Sequence, residues 1–199
     1  MNKAIFLDRD GVLNPNVYNS EIGEYESPHR PQDFALYTFV EKSLQTLKNA
    51  GYIIVLVSNQ PSYAKGKASM ENILAISKML KDWADEHGVL IDKFCYCYHH
   101  PEGIIPEYTK ICECRKPGTL FLEQAKEQFN LDPAQCWFIG DRDTDIECGK
   151  RFKCGTIKIN NLRKTEDNRK ITADFYTDDL LTAVGIICNQ WKQEKKGGI

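Results

Sequence analysis

Five short apolar, β-branched runs predict strands: KAIFLD at 3–8, YIIVLV at 52–57, IDKFCYC at 91–97, CWFIG at 136–140 and GTIKI at 155–159, with a weaker sixth near 173–176. Helical patterns fill the intervals, over about 38–49, 69–87, 118–129, 143–152 and 179–193. In the second helix Ser69 stands at the N-cap, Ile73, Ile76, Leu80 and Trp83 share a face, and Gly88 follows the end. In the last, Asp178 and Asp179 precede a face of Leu180, Leu181, Val184, Ile187 and Trp191. Strands alternating with helices need right-handed crossovers, so the predicted fold is α/β: a three-layer, doubly wound, mainly parallel sheet. In such sheets ligands bind beyond the carboxyl ends of the strands, and the residues just after each strand are the ones to read for chemistry.

At 199 residues the chain fits a single domain, expected over 1–192, with 193–199 as a disordered tail. Its 26 basic and 28 acidic side chains leave a formal charge of −2, which offers no electrostatic footprint for nucleic acid or an anionic membrane. No run approaches the roughly 20 apolar residues of a membrane span, and the first apolar run meets acids too soon for a signal peptide. The expectation is a cytoplasmic monomer.

The first strand ends on Asp8, Arg9, Asp10 and Gly11. An Asp-Gly turn would account for this alone. The second ends on Ser58, Asn59 and Gln60, which can hydrogen-bond an oxyanion or simply form a polar loop. CRKPGT places Arg115 and Lys116 before a helix, as an anion site or a solvated basic pair. GDRDTD places Asp141, Asp143 and Asp145 after the fourth strand, where acids also suit a helix N-terminus. Taken together, carboxylates from two strand ends can hold a hard cation, with donors and positive charge beside it, which suits a phosphoryl group. Asp8 is then placed to attack phosphorus as a nucleophile, with Lys116 and Mg2+ offsetting the repulsion between anions. Asp10 is placed to act as general acid and base.

The pieces FLDRDGVLN, VLVSNQ, CRKPG and FIGDRDTD, in that order, resemble the four motifs of the haloacid dehalogenase (HAD) superfamily of phosphohydrolases, and they span residues 4 to 145. Within it, the DRDG form with a cysteine insert is similar to the phosphatases of heptose 1,7-bisphosphate and of histidinol phosphate. The resemblance implies that Asp8, the main-chain carbonyl of Asp10 and Asp141 bind Mg2+, that Ser58 and Lys116 hold the phosphoryl group, and that Asp145 either holds metal-bound water or braces the loop; Asn59 and Arg115, from their places after the strands, join the substrate-binding set. It implies a phosphomonoester hydrolase acting on a small phosphorylated metabolite, with no large cap domain.

Eight cysteines would suit a disulfide framework in a small secreted protein, but four of these fall in residues 95 to 114 of a mid-sized chain. Cys97-Tyr98-His99, twelve residues, then Cys112-Glu113-Cys114 is a ligand pattern for tetrahedral Zn2+, with free thiols or a disulfide as the alternative. The same phosphatases carry a zinc loop of this form, which selects Cys97, His99, Cys112 and Cys114 within the loop 95–116 over Cys95 and His100. Four ligands leave no open position, so the zinc would be structural and would steady Arg115 and Lys116. Cys136, Cys148, Cys154 and Cys188 read as buried small apolar residues, and His87 as a partner of a helix C-terminus.

The segment 14–36, long, polar and proline-bearing, is expected to be a substrate loop, with His29 and Arg30 able to meet a second phosphate or a sugar hydroxyl. After NQ the chain departs from the family with Pro61, Ser62, Tyr63, Ala64, Lys65 and Gly66. A zinc-stabilised binding module on an inactive hydrolase fold is the reading from another class, and a 3′-phosphatase of nucleic acid a third.

Overall fold

The computed structural model describes residues 1–160 and 171–197, with side chains through 189. Six strands build one sheet: β1 (Ala4–Leu7), β4 (Ile53–Asn59), β5 (Lys93–Cys97), β6 (Trp137–Gly140), β7 (Gly155–Ile159) and β8 (Phe175–Thr177). Their order is β5-β4-β1-β6-β7-β8 and each neighbouring pair is parallel. The remaining two strands, β2 (Val17–Asn19) and β3 (Glu24–Glu26), form a separate antiparallel hairpin inside the 14–36 segment. The sequence pattern did not disclose it, because three-residue strands at the surface carry no buried alternation.

The helices are α1 (Val40–Asn49), α2 (Met70–Glu86), α3 (Leu120–Phe129), α4 (Asp143–Phe152) and α5 (Leu180–Gly197). Alternation along the strands divides the core in two. Ile5, Leu7, Ile54, Leu56 and Ile139 pack with Leu44 and Leu47 of α1, Ile76 and Leu80 of α2, and Leu180, Val184 and Ile187 of α5. Ala4, Phe6, Val55, Val57 and Phe138 point the other way, onto Leu122 and Ala125 of α3 and Cys148 and Phe152 of α4. Ser69 caps α2, its hydroxyl accepting from the Asn72 N–H at 3.1 Å. Cys136, Cys148 and Cys154 are buried in the second layer, and the ring of His87 stacks on Trp83 at the end of α2.

Two expected core positions differ. Leu181 is 38% exposed, since it lies beside Leu180 and only one of the pair can face the sheet. Cys188 is half-buried against the core edge rather than enclosed. The side chain of Trp191 lies outside the described residues, and helical backbone continues from the core part of α5 to Gly197, over part of the segment expected as a tail. Among the described residues no helix is long and apolar enough to cross a membrane.

The strand order has one consequence for the site. The chain winds from β1 outward to β4 and β5, then crosses back to enter β6 on the other side of β1. Strand order therefore reverses between β1 and β6, the crevice where such sheets bind ligands, and Asp8 and Asp141 follow those two strands.

Candidate active site

Asp8 leaves the end of β1 while its N–H still donates to the Ile139 carbonyl of β6 at 3.0 Å, so the carboxylate is mounted on sheet hydrogen bonding. Gly11, at φ 83°, turns the chain away immediately afterwards, a conformation that side-chain-bearing residues rarely adopt. Asp141 follows β6 and Asp145 sits in the first turn of α4, where its Oδ2 accepts from the Arg142 N–H at 3.0 Å. Gly140 permits that approach: a Cβ there would stand 2.3 Å from Asp145 Oδ2. One ligand atom each of Asp8, Asp141 and Asp145 lies within 4.8 Å of the others, and all three residues are buried.

Lys116 reaches this cluster from the loop before α3. Its Nζ stands 2.9 Å from Asp8 Oδ1 and 2.7 Å from Asp145 Oδ1, and donates to the Val57 carbonyl at 2.9 Å. Burial works against its charge, but Asp145 and Asp8 outweigh burial and hold its pKa above the ordinary lysine value. Burial also pushes Asp8 up to about 6, Lys116 opposing and Asp145 and Asp10 adding to the rise. Asp141 is pushed further, to about 8, again chiefly by burial, with Arg142 opposing and Asp145 and Asp8 adding. Both carboxylate oxygens of Asp141 are buried, and among the described residues neither has a hydrogen-bond partner. A buried acid in that state, facing two more acids, fits the donor set of a hard divalent cation.

Asp10 differs. Burial raises its pKa, yet the Arg9 charge and hydrogen bonds from Asn14, Gln60 and Arg9 overcome that and hold it below the usual carboxylate value. Arg9, 0% exposed, grips the carboxylate through Nε at 3.1 Å and Nη2 at 3.0 Å.

These groups open into a cavity of about 360 Å³ lined by Asp8, Asp10, Asn59, Arg115, Lys116 and Asp145, with Ser62, Lys65, Lys67 and Arg142 also on its walls. Ser58 and Asp141 are buried and do not line it. The hairpin supplies Glu24, Tyr25, Glu26 and Ser27 to the mouth, and it is fastened there by a Lys67–Glu26 ion pair and a 3.4 Å contact between the hydroxyls of Ser27 and Ser62. His29 lines the cavity, but Arg30 turns away, its Nε pairing with Asp33 Oδ2 at 2.8 Å on the exposed face. Sequence reasoning passed over Arg142, Lys65 and Lys67. Arg142 stands between Asp141 and Asp143, and its only local signal is its place directly after a strand-end acid at a helix start.

On the rim of β5, Cys97, His99, Cys112 and Cys114 gather. Their sulfur separations are 3.6 Å (Cys97–Cys112), 3.4 Å (Cys97–Cys114) and 3.3 Å (Cys112–Cys114), and His99 Nδ1 lies 3.5 Å from Cys114 Sγ. These are too long for disulfides and near the edge of a tetrahedron with metal–sulfur bonds of about 2.3 Å, roughly 3.8 Å. Cys95, i−2 along the strand, is buried in the second core layer, and His100 Nδ1 instead accepts from the Glu102 N–H at 3.1 Å.

A parallel sheet with a carboxylate–lysine cluster at its switch point and a sulfur-rich loop beside it defines a class of α/β hydrolases acting on phosphate esters. Comparison with known proteins agrees. Residues 113–183 match the family model described as HAD-hydrolase-like. The chain is 39% identical over 188 residues to the D-glycero-beta-D-manno-heptose-1,7-bisphosphate 7-phosphatase of Haemophilus influenzae, covering 91% of this chain and 94% of the relative. It is 32% identical over 197 residues to the D-glycero-D-manno-heptose-1,7-bisphosphate 7-phosphatase of Chlorobaculum tepidum, covering 94% and 96%. The structure of D,D-heptose 1,7-bisphosphate phosphatase from B. bronchiseptica, complexed with magnesium and phosphate, shares the fold at TM-score 0.76 and 22% identity, over 96% of this chain and 99% of that one. The chain belongs to the HAD-like phosphatases, in the family of the heptose-1,7-bisphosphate 7-phosphatases.

Proposed function

We propose that the protein is a Mg2+-dependent phosphatase that removes the 7-phosphate of D-glycero-D-manno-heptose 1,7-bisphosphate through an aspartyl-phosphate on Asp8. The observation that carries this reading is Lys116 held between Asp8 and Asp145, beside an Asp141 whose carboxylate has no hydrogen-bond partner among the described residues. Relatives along nearly the whole chain that bear the heptose bisphosphate name support the substrate.

Asp8, Asp141 and the carbonyl of Asp10 would hold Mg2+, while Asp145, occupied by Lys116 and the Arg142 N–H, stands behind them. Bound there, the ion would offset the repulsion between a phosphoryl group and the carboxylate that attacks it. Asp8 Oδ1 already accepts from the Arg9 N–H at 2.7 Å and faces Lys116, so Oδ2 is the oxygen assigned to the attack. It forms a bond to phosphorus as the bond to the sugar oxygen breaks, and Asp10 delivers a proton to that oxygen, releasing the alcohol. Water then attacks phosphorus and gives its proton to Asp10, and phosphate leaves with Asp8 restored. A phosphoryl dianion entering beside Asp10 raises its proton affinity, so the substrate itself loads an acid that the free chain holds ionised.

Lys116, Ser58, Asn59 and Arg115 are assigned to the phosphoryl oxygens, and Cys97, His99, Cys112 and Cys114 to a structural Zn2+. Such a thiol set belongs in a reducing cytoplasm. Phosphate release should be measured with both anomers of heptose 1,7-bisphosphate, fructose 1,6-bisphosphate and histidinol phosphate, with and without Mg2+. Turnover of a heptose anomer well above the other esters is expected; preference for histidinol phosphate, or no release at all, would overturn the assignment.

A further inference from the structure

A buried amide connects the two halves of the site. Gln60 is 1% exposed. Its Oε1 accepts from Arg9 Nη2 at 2.9 Å, while its Nε2 donates to Asp10 Oδ2 at 2.6 Å and to Ser58 Oγ at 3.0 Å. The orientation of the amide is dictated by its neighbours, because a guanidinium can only donate and an ionised carboxylate can only accept. Two results follow for the side chains it touches. The Asp10 carboxylate is enclosed by Arg9, Gln60 and Asn14, whose Nδ2 donates to Oδ1 at 2.9 Å, and its plane is thereby set. The Ser58 hydroxyl, having accepted from Gln60, keeps its own proton to give elsewhere.

We propose that Gln60, backed by Arg9, is a positioning residue for the phosphatase reaction: it fixes the Asp10 carboxylate for proton transfer and, by donating to the Ser58 hydroxyl, leaves that hydroxyl's own proton for a phosphoryl oxygen. The inference rests on the acid role of Asp10 given above. Arg9 and Gln60 lie 51 positions apart and meet only because β1 and β4 are adjacent in the sheet, so the clamp exists only in the folded protein. The hydrogen bonds that converge on the Asp10 carboxylate hold it to the narrow range of positions that proton transfer demands.

The test compares two esters. p-Nitrophenyl phosphate releases a phenolate that needs no protonation, whereas the sugar phosphate must receive a proton as it leaves. Gln60→Met, close in volume but without the amide, is expected to lower kcat on heptose bisphosphate by about 10²-fold and on the aryl ester by about threefold or less. It should also weaken inhibition by inorganic phosphate about fivefold, through Ser58. Arg9→Lys, which keeps the charge but loses the fork, should show the same split in weaker form. Gln60→Leu, which also lacks the amide and puts no second acid beside Asp10, decides the matter if Gln60→Met melts below the assay temperature. Asp10→Asn serves as the reference. Equal losses on both esters in the Gln60 variants, with the split present in Asp10→Asn, would overturn the clamp alone. Absence of the split in Asp10→Asn would instead remove the acid role, and the clamp with it.

Discussion

Asn59 holds Lys116 by its backbone from both sides: its Oδ1 accepts the Lys116 N–H at 3.0 Å and its Nδ2 donates to the Lys116 carbonyl at 3.1 Å. A side chain at the tip of β4 thus fixes the loop that carries the lysine, and the lysine reaches back to the Val57 carbonyl of the same strand. Replacing Asn59 with Ala removes both bonds and should cost about 1–3 kcal/mol of stability. KM should rise more than kcat falls, because Lys116 is displaced as a phosphate-binding group. Thermal unfolding and steady-state kinetics on the same preparation check this.

Asp8→Asn should abolish turnover and aspartyl-phosphate formation while the fold is kept, since an amide can still accept from Lys116 and from the Arg9 N–H. Phosphate release and mass spectrometry of acid-quenched protein measure it. Measurable turnover in this variant would exclude the covalent route.

The stabilisation given by Mg2+ should depend on pH. Asp141 keeps its proton in the folded chain to about 8 and Asp8 to about 6, against an ordinary 3.8. Between pH 4 and 8 the unfolded chain binds fewer protons at these two carboxyls than the folded one, a contribution that lowers the stability of the metal-free protein as pH rises, while His29, His99 and His100, whose pKa values burial lowers, contribute with the opposite sign. Protons compete with the cation for the same oxygens, so the gain in melting temperature from Mg2+ should be small at pH 5 and large at pH 8. Melting curves at both values, with Mg2+ and with chelator, provide the measurement.

Zinc content should follow the four-residue cluster and ignore the nearby fifth thiol. Cys114→Ser is expected to lower bound zinc from one per chain and to raise KM, because Cys114 directly precedes Arg115 and Lys116. Cys95→Ser, in the core beneath the sheet, should leave zinc content unchanged while costing some stability. Elemental analysis alongside kinetics separates the two, and full activity in verified zinc-free protein would contradict the role given to the loop.

Arg30→Ala should change kcat/KM on the bisphosphate by about twofold or less, because Arg30 is paired with Asp33 on the exposed face. Lys65→Ala should weaken binding of the same substrate about tenfold through loss of a charge on the cavity wall. Kinetics of the two variants in parallel will show which cation the substrate meets.

Much of this protein was settled along the chain. Apolar, β-branched runs and period-3.6 patterning located the six strands of the sheet and the five helices, and placing acids, amides and cations after strand ends selected Asp8, Asp10, Asn59, Lys116 and Asp141, because parallel sheets deliver strand ends to one edge. The spacing of Cys97, His99, Cys112 and Cys114 was equally local. Only the tertiary structure decided which groups answer one another across that edge: Gln60 to Arg9, Asn59 to Lys116, Lys116 to Asp145, Glu26 to Lys67, and Arg142 to the cavity. Side-chain periodicity records which face a residue takes relative to its neighbours in sequence. Strand order and loop packing determine which distant residue stands opposite it, and those depend on the burial of the whole core at once.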